Sequence, residues 1–562
     1  QMIFRRHRRK VAIPEVDPDE IFLDSQNIPS FDSQQFEGRI ESAIPKRTIV
    51  FLGSFFVFVG VIFIFKAGVL QIKMGEAYSL RSEQNSLDTL PLFSDRGIIF
   101  DRNGVELVTN KMIPDSDFPV RNYTDKQGFS HILGYVSYPA KDTSGVYWQK
   151  EIIGKDGIEK SMNSILSGKN GLKIFETDAL GDIKSENLVN APEHGENVNL
   201  AIDARLQNEF SESIERLADT AGFIGGAGVI MDVNTGEVIV MTSFPEYDSN
   251  ILSLGSDRAT ISSYIHDNRK VFLNKTIGGL YTPGSIVKPF VAVGALMEGV
   301  IDPSKQILST GSISLPNPYN PELKTIFNDW KAHGWVDMRK ALAVSSNVYF
   351  YAIGGGFGDQ KGMGISNIKK YTQMFGLGKK TGIDMVGELT GTIPSPEWKE
   401  KNFPGDVWRV GDTYNTAIGQ YGFQVTPIQM VRAVAAIANG GKLLNPTILK
   451  TDEPVGNIET INIPEDVLNI VREGMRMVVT EGSGTIMNYS GITVAAKTGT
   501  AQVGISKNYM NSWSMGFFPY ENPRYAFIVL MEKGPKTNTI GASHVMKDVL
   551  SYINTYAPEY VE

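Results

Sequence analysis

Tyr281-Thr-Pro-Gly-Ser-Ile-Val-Lys-Pro-Phe290 places a serine and a lysine three residues apart where a turn runs into a helix. Pro283 and Gly284 spell the turn. Pro289 lacks an N–H, which a helix tolerates only in its first turn, where that donor has no partner anyway. Helix onset is therefore expected at or near Ser285. Positions i and i+3 share a helix face, so Lys288 Nζ is expected within reach of Ser285 Oγ. The positive end of the helix dipole favours negative charge developing beside it. The pair reads as a serine nucleophile with a lysine as its base.

One Ser-x-x-Lys says little in 562 residues, and the pattern recurs at Ser366 and Lys369. Its company decides the matter: Ser345-Ser346-Asn347 and Lys497-Thr498-Gly499-Thr500 follow, giving S-x-x-K, S-x-N and K-T-G in order. A second K-T-G, Lys380-Thr381-Gly382, comes just after Phe375-Gly-Leu-Gly, a helix-ending sequence. Ser366 and Lys369 sit in an amphipathic stretch with Ile368, Tyr371 and Phe375, so these two read as solvent-facing polar residues. The set at 285, 345 and 497 is the one expected to do chemistry.

Composition removes several alternatives. With no cysteine there are no disulfides, no thiolate metal sites and no cysteine nucleophile. The six histidines stand singly at 7, 131, 194, 266, 333 and 544, without H-E-x-x-H, so no metal is expected. A Ser-His-Asp triad stays open on sequence grounds, although no G-x-S-x-G elbow surrounds Ser285 and a lysine already supplies a base. Net charge is a mild -8, and the one dense basic cluster is Arg5 to Lys10. Nothing calls for nucleic acid.

The chain divides into four stretches. Residues 1–47 are expected to be a largely disordered cytoplasmic tail, since 11–45 are polar, acidic and punctuated by proline. Thr48 to Phe65 carries no charge and continues past Lys66 to Leu70; no small-x-small cleavage site follows. Residues 48–70 read as a retained transmembrane anchor, with the Arg5–Lys10 cluster favouring a cytoplasmic N-terminus. Residues 71–202 read as a β-rich pedestal: a hairpin at Asn103-Gly104, a short helix ending at Gly168, and strands at 172–177 and 195–202. They hold no nucleophile or convergent carboxylates, so they read as a spacer lifting the next domain off the membrane.

Residues 203–562 read as an α+β domain on an antiparallel sheet. Asp203 is a good N-cap for a helix with Leu206, Phe210, Ile214 and Leu217 on one face and Gly222 as its stop. A hairpin follows at 227–232 and 237–241. A helix is expected over 335–351, broken near Ser345 and Asn347, because side chains two apart diverge on a regular helix. Residues 492–503 read as a strand with neighbours at 513–519 and 525–532. Small residues flank Lys497, as where a substrate backbone approaches closely.

Taken together these motifs resemble the class B penicillin-binding proteins, monofunctional D,D-transpeptidases of peptidoglycan synthesis, and especially the elongation-type penicillin-binding protein 2 group. The likeness spans about residues 48 to 550. It also rests on Arg96-Gly97 with Asp101-Arg-Asn-Gly104, Gly154-Lys-Asp-Gly-Ile-Glu159, Asp329-Trp330 before Gly334, Gly411-Asp-Thr413, Ile418-Gly-Gln420 and Thr426-Pro427. The resemblance implies that Ser285 attacks the penultimate D-Ala carbonyl of a stem peptide. Lys288 would be the base, Ser345 the proton relay, and Asn347 the holder of Lys288 and the substrate amide. Lys497, Thr498 and Thr500, around Gly499, would receive the terminal carboxylate, and the N–H groups of Ser285 and Thr500 would form an oxyanion hole. A neutral Lys288 needs a shift worth roughly 4 kcal/mol, expected from desolvation together with Lys497 as a second cation.

The resemblance further implies no cofactor, inhibition by β-lactams, a single-pass place in the cytoplasmic membrane with the catalytic domain outside, and a SEDS-family glycosyltransferase among other elongation proteins as partner. Two departures stand out. Only about forty residues, Lys111 to Ile153, lie where relatives usually carry a sizeable head subdomain, and Tyr421 follows Gln420 where relatives more often have glycine. A β-lactamase or D,D-carboxypeptidase shares the three motifs, but a long anchored pedestal argues against a small secreted hydrolase. A β-lactam sensor or a scaffold for a glycosyltransferase is the other alternative; against a pure sensor, the tail shows no protease or signalling motif.

Overall fold

The computed structural model describes residues 46–73, 87–114, 116–143, 145–177, 183–317, 319–456, 458–504 and 508–562. The tail expected over 11–45 lies outside them. Contacts divide the chain into one unit of Gln1–Asp88 with Glu176–Lys184 and another of Thr89–Phe175 with Ser185–Glu562.

In the first unit, helix α1 (Lys46–Gly68) continues into a wider turn at Val69–Lys73. Its apolar span, Ile49–Ile72, is 24 residues long and has none of its best window buried. At about 1.5 Å per residue it reaches about 36 Å, enough for a hydrocarbon core of about 30 Å. Phe51, Phe56, Phe63 and Ile64 are exposed around it. A helix apolar on all sides without protein cover fits lipid, and among the described residues it is the one helix long and apolar enough to cross a membrane.

The second unit holds most of the residues expected to form a pedestal and all of those after them. Arg96 and Glu159, from two motifs far apart in sequence, form a fully buried ion pair, and Arg121 Nε adds a 2.7 Å bond to the same carboxylate. Asp101 Oδ1 accepts the N–H groups of Asn103 and Val105 at 2.8 Å, which shapes the expected hairpin turn. Its other oxygen accepts the N–H of Ala204 at 3.1 Å, and Asn103 reaches Asp203 at 3.0 Å. The pedestal turn thereby grips the first residues of α2 (Ala204–Ala221), which Asp203 caps and left-handed Gly222 ends, as expected.

A five-stranded antiparallel sheet forms the centre. It contains β1 (Gly225–Asp232), β2 (Val238–Phe244), β3 (Ala495–Val503), β4 (Tyr509–Phe518) and β5 (Tyr525–Pro535), in the order β2-β1-β5-β4-β3. Both faces are buried. Along β5, Phe527, Val529 and Met531 join one core with Phe210 and Ile214 of α2, while Ala526, Ile528 and Leu530 join the other. That period of two fixes the register. A Cβ at Gly228 would lie 2.5 Å from the Phe210 ring, so glycine lets α2 settle on the sheet.

Two expectations need correction. Of the strand expected over 195–202, Val198–Asn199 pairs alongside Ile99–Phe100 and Leu200 bridges Leu449; Gly195 and Glu196 spend their N–H groups on Asp95 and Ile165 in a loop. The helix expected from Trp335 begins later: Gly334–Val336 is a strand paired with Ile307–Ser309, and the helix is two pieces, Met338–Ala343 and Asn347–Gly355.

Breaking a buried ion pair from one side leaves an uncompensated charge. Glu159→Ala should therefore destabilise the protein by about 3–5 kcal/mol, with both Arg96 and Arg121 stranded. Denaturant melts of wild type and variant check this, and an unchanged midpoint would contradict it.

Candidate active site

The serine turn is shaped by what Pro289 lacks. An α-helix would bond the N–H of residue 289 to Ser285 O, but proline has none. The N–H of Lys288 takes that oxygen instead, so Gly284–Val287 is a 3-10 turn and α3 (Lys288–Met297) starts after it. The expected onset at Ser285 holds, with a tighter first turn. Gly284 has φ of 59° and donates its N–H to Gly419 O at 3.0 Å. A Cβ there would lie 2.8 Å from Thr500 O, and one at Gly499 would lie 2.9 Å from Ile286 Cγ2. Two glycines thus bring edge strand β3 against the turn, backbone to backbone.

The S-x-N turn lies between α4 (Met338–Ala343) and α5 (Asn347–Gly355). The expected break is real: Ser345 has φ of 57°, a conformation rare outside glycine, and Ser346 caps α5 through the N–H of Tyr349. Lys288 Nζ donates to Ser345 O at 2.7 Å and Asn347 Oδ1 at 2.8 Å, and lies 3.4 Å from Ser345 Oγ. Lys497 Nζ reaches the same Oγ at 2.8 Å and Thr498 O at 2.8 Å. One hydroxyl therefore bridges two buried amines. The Ser285 to Lys288 side-chain hydrogen bond expected from their i, i+3 spacing is not made; the amine turns to the S-x-N loop.

Burial pushes the Lys288 amine down to about 7, against the opposing pull of the Asp329 carboxylate. Lys497 is driven well below its usual value, first by burial and then by the charge on Lys288. Two amines bridged by one hydroxyl disfavour each other's charge, and at Lys288 the Asp329 carboxylate opposes that fall.

Asp329 is the residue that sequence reasoning left out of the site. It accepts Ser346 Oγ at 2.8 Å, Val348 N–H at 3.1 Å and Ser309 Oγ at 3.2 Å. Burial works to raise its pKa, but the N–H groups of Asn347 and Val348 hold it below the ordinary carboxylate value. It is an anion at the start of α5, where the helix dipole favours one. The sequence showed it only as part of Asp329-Trp330. Ser483, bonded to Thr498 Oγ1 at 2.5 Å, was also missed.

A cleft of about 790 Å³ opens over this network, lined by Ser285, Asn347, Thr500, Asn328, Gln502 and Tyr421 among others, and by no histidine. Thr498 and Gly499 line a neighbouring cavity of about 340 Å³ that also touches Thr500. The other motif set lies elsewhere. Lys369 Nζ is 3.7 Å from Glu397 on an exposed face, and Thr381 bonds Glu388 through both its N–H and its hydroxyl.

A serine turn, a lysine and an S-x-N loop behind it, and a K-T-G edge strand on an antiparallel sheet define the penicillin-binding class of acyl-transfer proteins. The penicillin binding protein transpeptidase domain profile matches residues 226–551, and the penicillin-binding protein dimerisation domain profile matches 113–200. The chain belongs to the penicillin-binding protein transpeptidase family, among the class B proteins with penicillin-binding protein 2. It is 29% identical to peptidoglycan D,D-transpeptidase MrdA of Salmonella typhimurium over 592 residues, covering 86% of this chain and 92% of that one. Since 592 aligned positions exceed the 562 residues here, the relative carries segments this chain lacks. The solved structure of Pseudomonas aeruginosa PBP2 has a TM-score of 0.70 at 30% identity, over 84% of this chain and all of that one. PBP2 of Helicobacter pylori, solved in complex with MreC, has a TM-score of 0.69 at 27% identity, over 84% and 99%.

A neutral amine is needed at Lys288 if it is to accept a proton. Covalent labelling by benzylpenicillin should therefore quicken as pH rises through about 7 and level off above. Asp329→Asn removes the anion that raises the Lys288 pKa, so this limb should move to lower pH. Lys497 and His333 also face the pair electrostatically. Stopped-flow labelling across pH checks both; a limb unmoved or moved upward in Asp329→Asn would contradict the second.

Proposed function

We propose that this chain is a peptidoglycan D,D-transpeptidase that cross-links stem peptides through an acyl-enzyme on Ser285 and is inhibited by β-lactams. The observation that carries this reading is the hydrogen-bonded chain Lys288, Ser345, Lys497 lying beneath a cleft that Ser285 lines.

Neutral Lys288 takes the Ser285 Oγ proton as the oxygen attacks the penultimate D-Ala carbonyl. The new O–C bond forms, the carbonyl oxygen gathers negative charge, and the N–H groups of Ser285 and Thr500 stabilise it; losing such a donor typically costs about 10²–10³ in rate. Ser345 Oγ, bonded to both amines, passes a proton to the departing nitrogen as the C–N bond breaks and D-Ala leaves. An amine from a neighbouring stem then attacks the ester, and the same chain returns the proton to Ser285. Asn347 holds Lys288 and the substrate amide. Lys497, with Thr498, Gly499 and Thr500, receives the terminal carboxylate. An arriving anion favours the charged form of the Lys497 amine and so opposes the burial that lowers its pKa.

The reading includes an arrangement along the chain: 1–47 a cytoplasmic tail, 48–70 the anchor, 71–202 the pedestal with a reduced head, and 203–562 the catalytic domain outside the cell. It places the protein in cell-wall elongation and shape maintenance. There a SEDS-family glycosyltransferase would supply the glycan, and an MreC-type protein, found with the Helicobacter pylori relative, would be a neighbour.

Fluorescent penicillin labelling with mass-spectrometric mapping tests the site: the adduct is expected on Ser285 and absent in Ser285→Ala. Lys288→Ala should slow acylation by about 10²–10⁴, the usual worth of a general base. Attachment at Ser366, or rapid multiple turnover of a chromogenic cephalosporin, would overturn the reading.

A further inference from the structure

Among the described residues four non-glycines have positive φ, and two of them, Ser345 and Tyr421, line or underlie the cleft. Ser345 belongs to the proton chain; Tyr421, with φ of 61°, has no part in it. Left-handed backbone is strained for an aromatic residue and persists only where surrounding structure imposes it.

The surroundings do impose it. On one side Gly419 lies against the serine turn, where a Cβ would come 2.2 Å from Gly284 O. On the other, a Cβ at Gly422 would come 2.4 Å from the Trp398 ring. Between these clamps the Tyr421 ring stands edge-on to Trp398 and Trp408, each at 5.8 Å. Lys399 Nζ lies 5.7 Å from its centroid, itself buried and fixed by Asp412 at 2.7 Å and Val407 O at 2.8 Å. A loop wanting only that backbone would carry glycine at 421 without strain. The phenol is therefore held in place for its ring, and the ring borders the cleft.

Which part of a ligand it meets follows from the division of the site. Tyr421 shares its cavity with Ser285 and Thr500, whereas Thr498, on the carboxylate-binding side, lines the neighbouring one. We propose that Tyr421 is a specificity-determining residue: its ring is the wall that receives the apolar group on the acyl side of the scissile bond. In a penicillin that group is the acyl substituent; in a donor peptide it is the methylene stem of the side chain preceding the penultimate D-Ala. This inference rests on the acyl-transfer reading above.

The test compares acylation of the full-length protein by benzylpenicillin, which carries a phenylacetyl group, and by 6-aminopenicillanic acid, which carries none. The benzylpenicillin to 6-aminopenicillanic acid rate ratio should fall about tenfold in Tyr421→Gly, the scale of one lost apolar contact, and stay near wild type in Tyr421→Phe. If Tyr421→Gly does not fold, Tyr421→Asn, which accepts left-handed backbone without a ring, takes its place with the same readout. A ratio unchanged in the ringless variant, or lost equally in Tyr421→Phe, overturns the assignment while labelling at Ser285 leaves the acyl-transfer reading standing. No labelling of wild type at Ser285 overturns both.

Discussion

The desolvated amine of Lys288 is the constraint the rest of the site serves. A buried lysine that keeps its charge is costly, and one that loses it still needs partners for its polar atoms. Ser345 O and Asn347 Oδ1 supply them at 2.7 and 2.8 Å, and both belong to one turn. That turn aims a carbonyl and an amide at the same point because Ser345 takes left-handed backbone between two helices. Asp329 holds the turn through Ser346 and Val348 and balances the amine electrostatically. The result is an amine with a pKa of about 7, near the pH at which a proton acceptor would be most useful.

The second lysine is explained by the same electrostatics. Two charged amines bridged by one hydroxyl repel each other in a medium that screens poorly. Burial and the neighbouring Lys288 both press the Lys497 amine downward, while Asp329 works the other way on Lys288. The Ser345 hydroxyl between the amines and the Thr498 carbonyl give Lys497 its two acceptors.

Much of this was legible in the sequence, and the divide between what was and was not is physical. The serine turn, the strand carrying K-T-G and the break at Ser345 are local features, read from proline's missing donor, small residues and helical periodicity. Asp203 as a cap and Gly222 as a stop are local in the same sense. Asp329 could not be read that way. It lies sixteen positions before Ser345, beyond any helical or strand period, and the intervening strand Gly334–Val336 and helix α4 bring it back. Ser483 reaches Thr498 from the loop after a long helix, again by packing alone. The pull of Asp329 on Lys288 was hidden for the same reason.

The motifs outside the cleft follow a different logic. Arg96 and Glu159 carry no chemistry, yet they pair with no exposure to water and fasten two remote pieces of the pedestal. Asp101 accepts three backbone N–H groups, two in its own turn and one at the start of α2. The latter belongs to the helix that packs on the central sheet, and Asp203 at its cap also accepts from Asn103 and Tyr560. Residues so placed satisfy buried backbone and charge that would otherwise be left without partners. The Asp101 turn is thus tied by hydrogen bonds to the helix that packs on the sheet whose edge strand flanks Ser285.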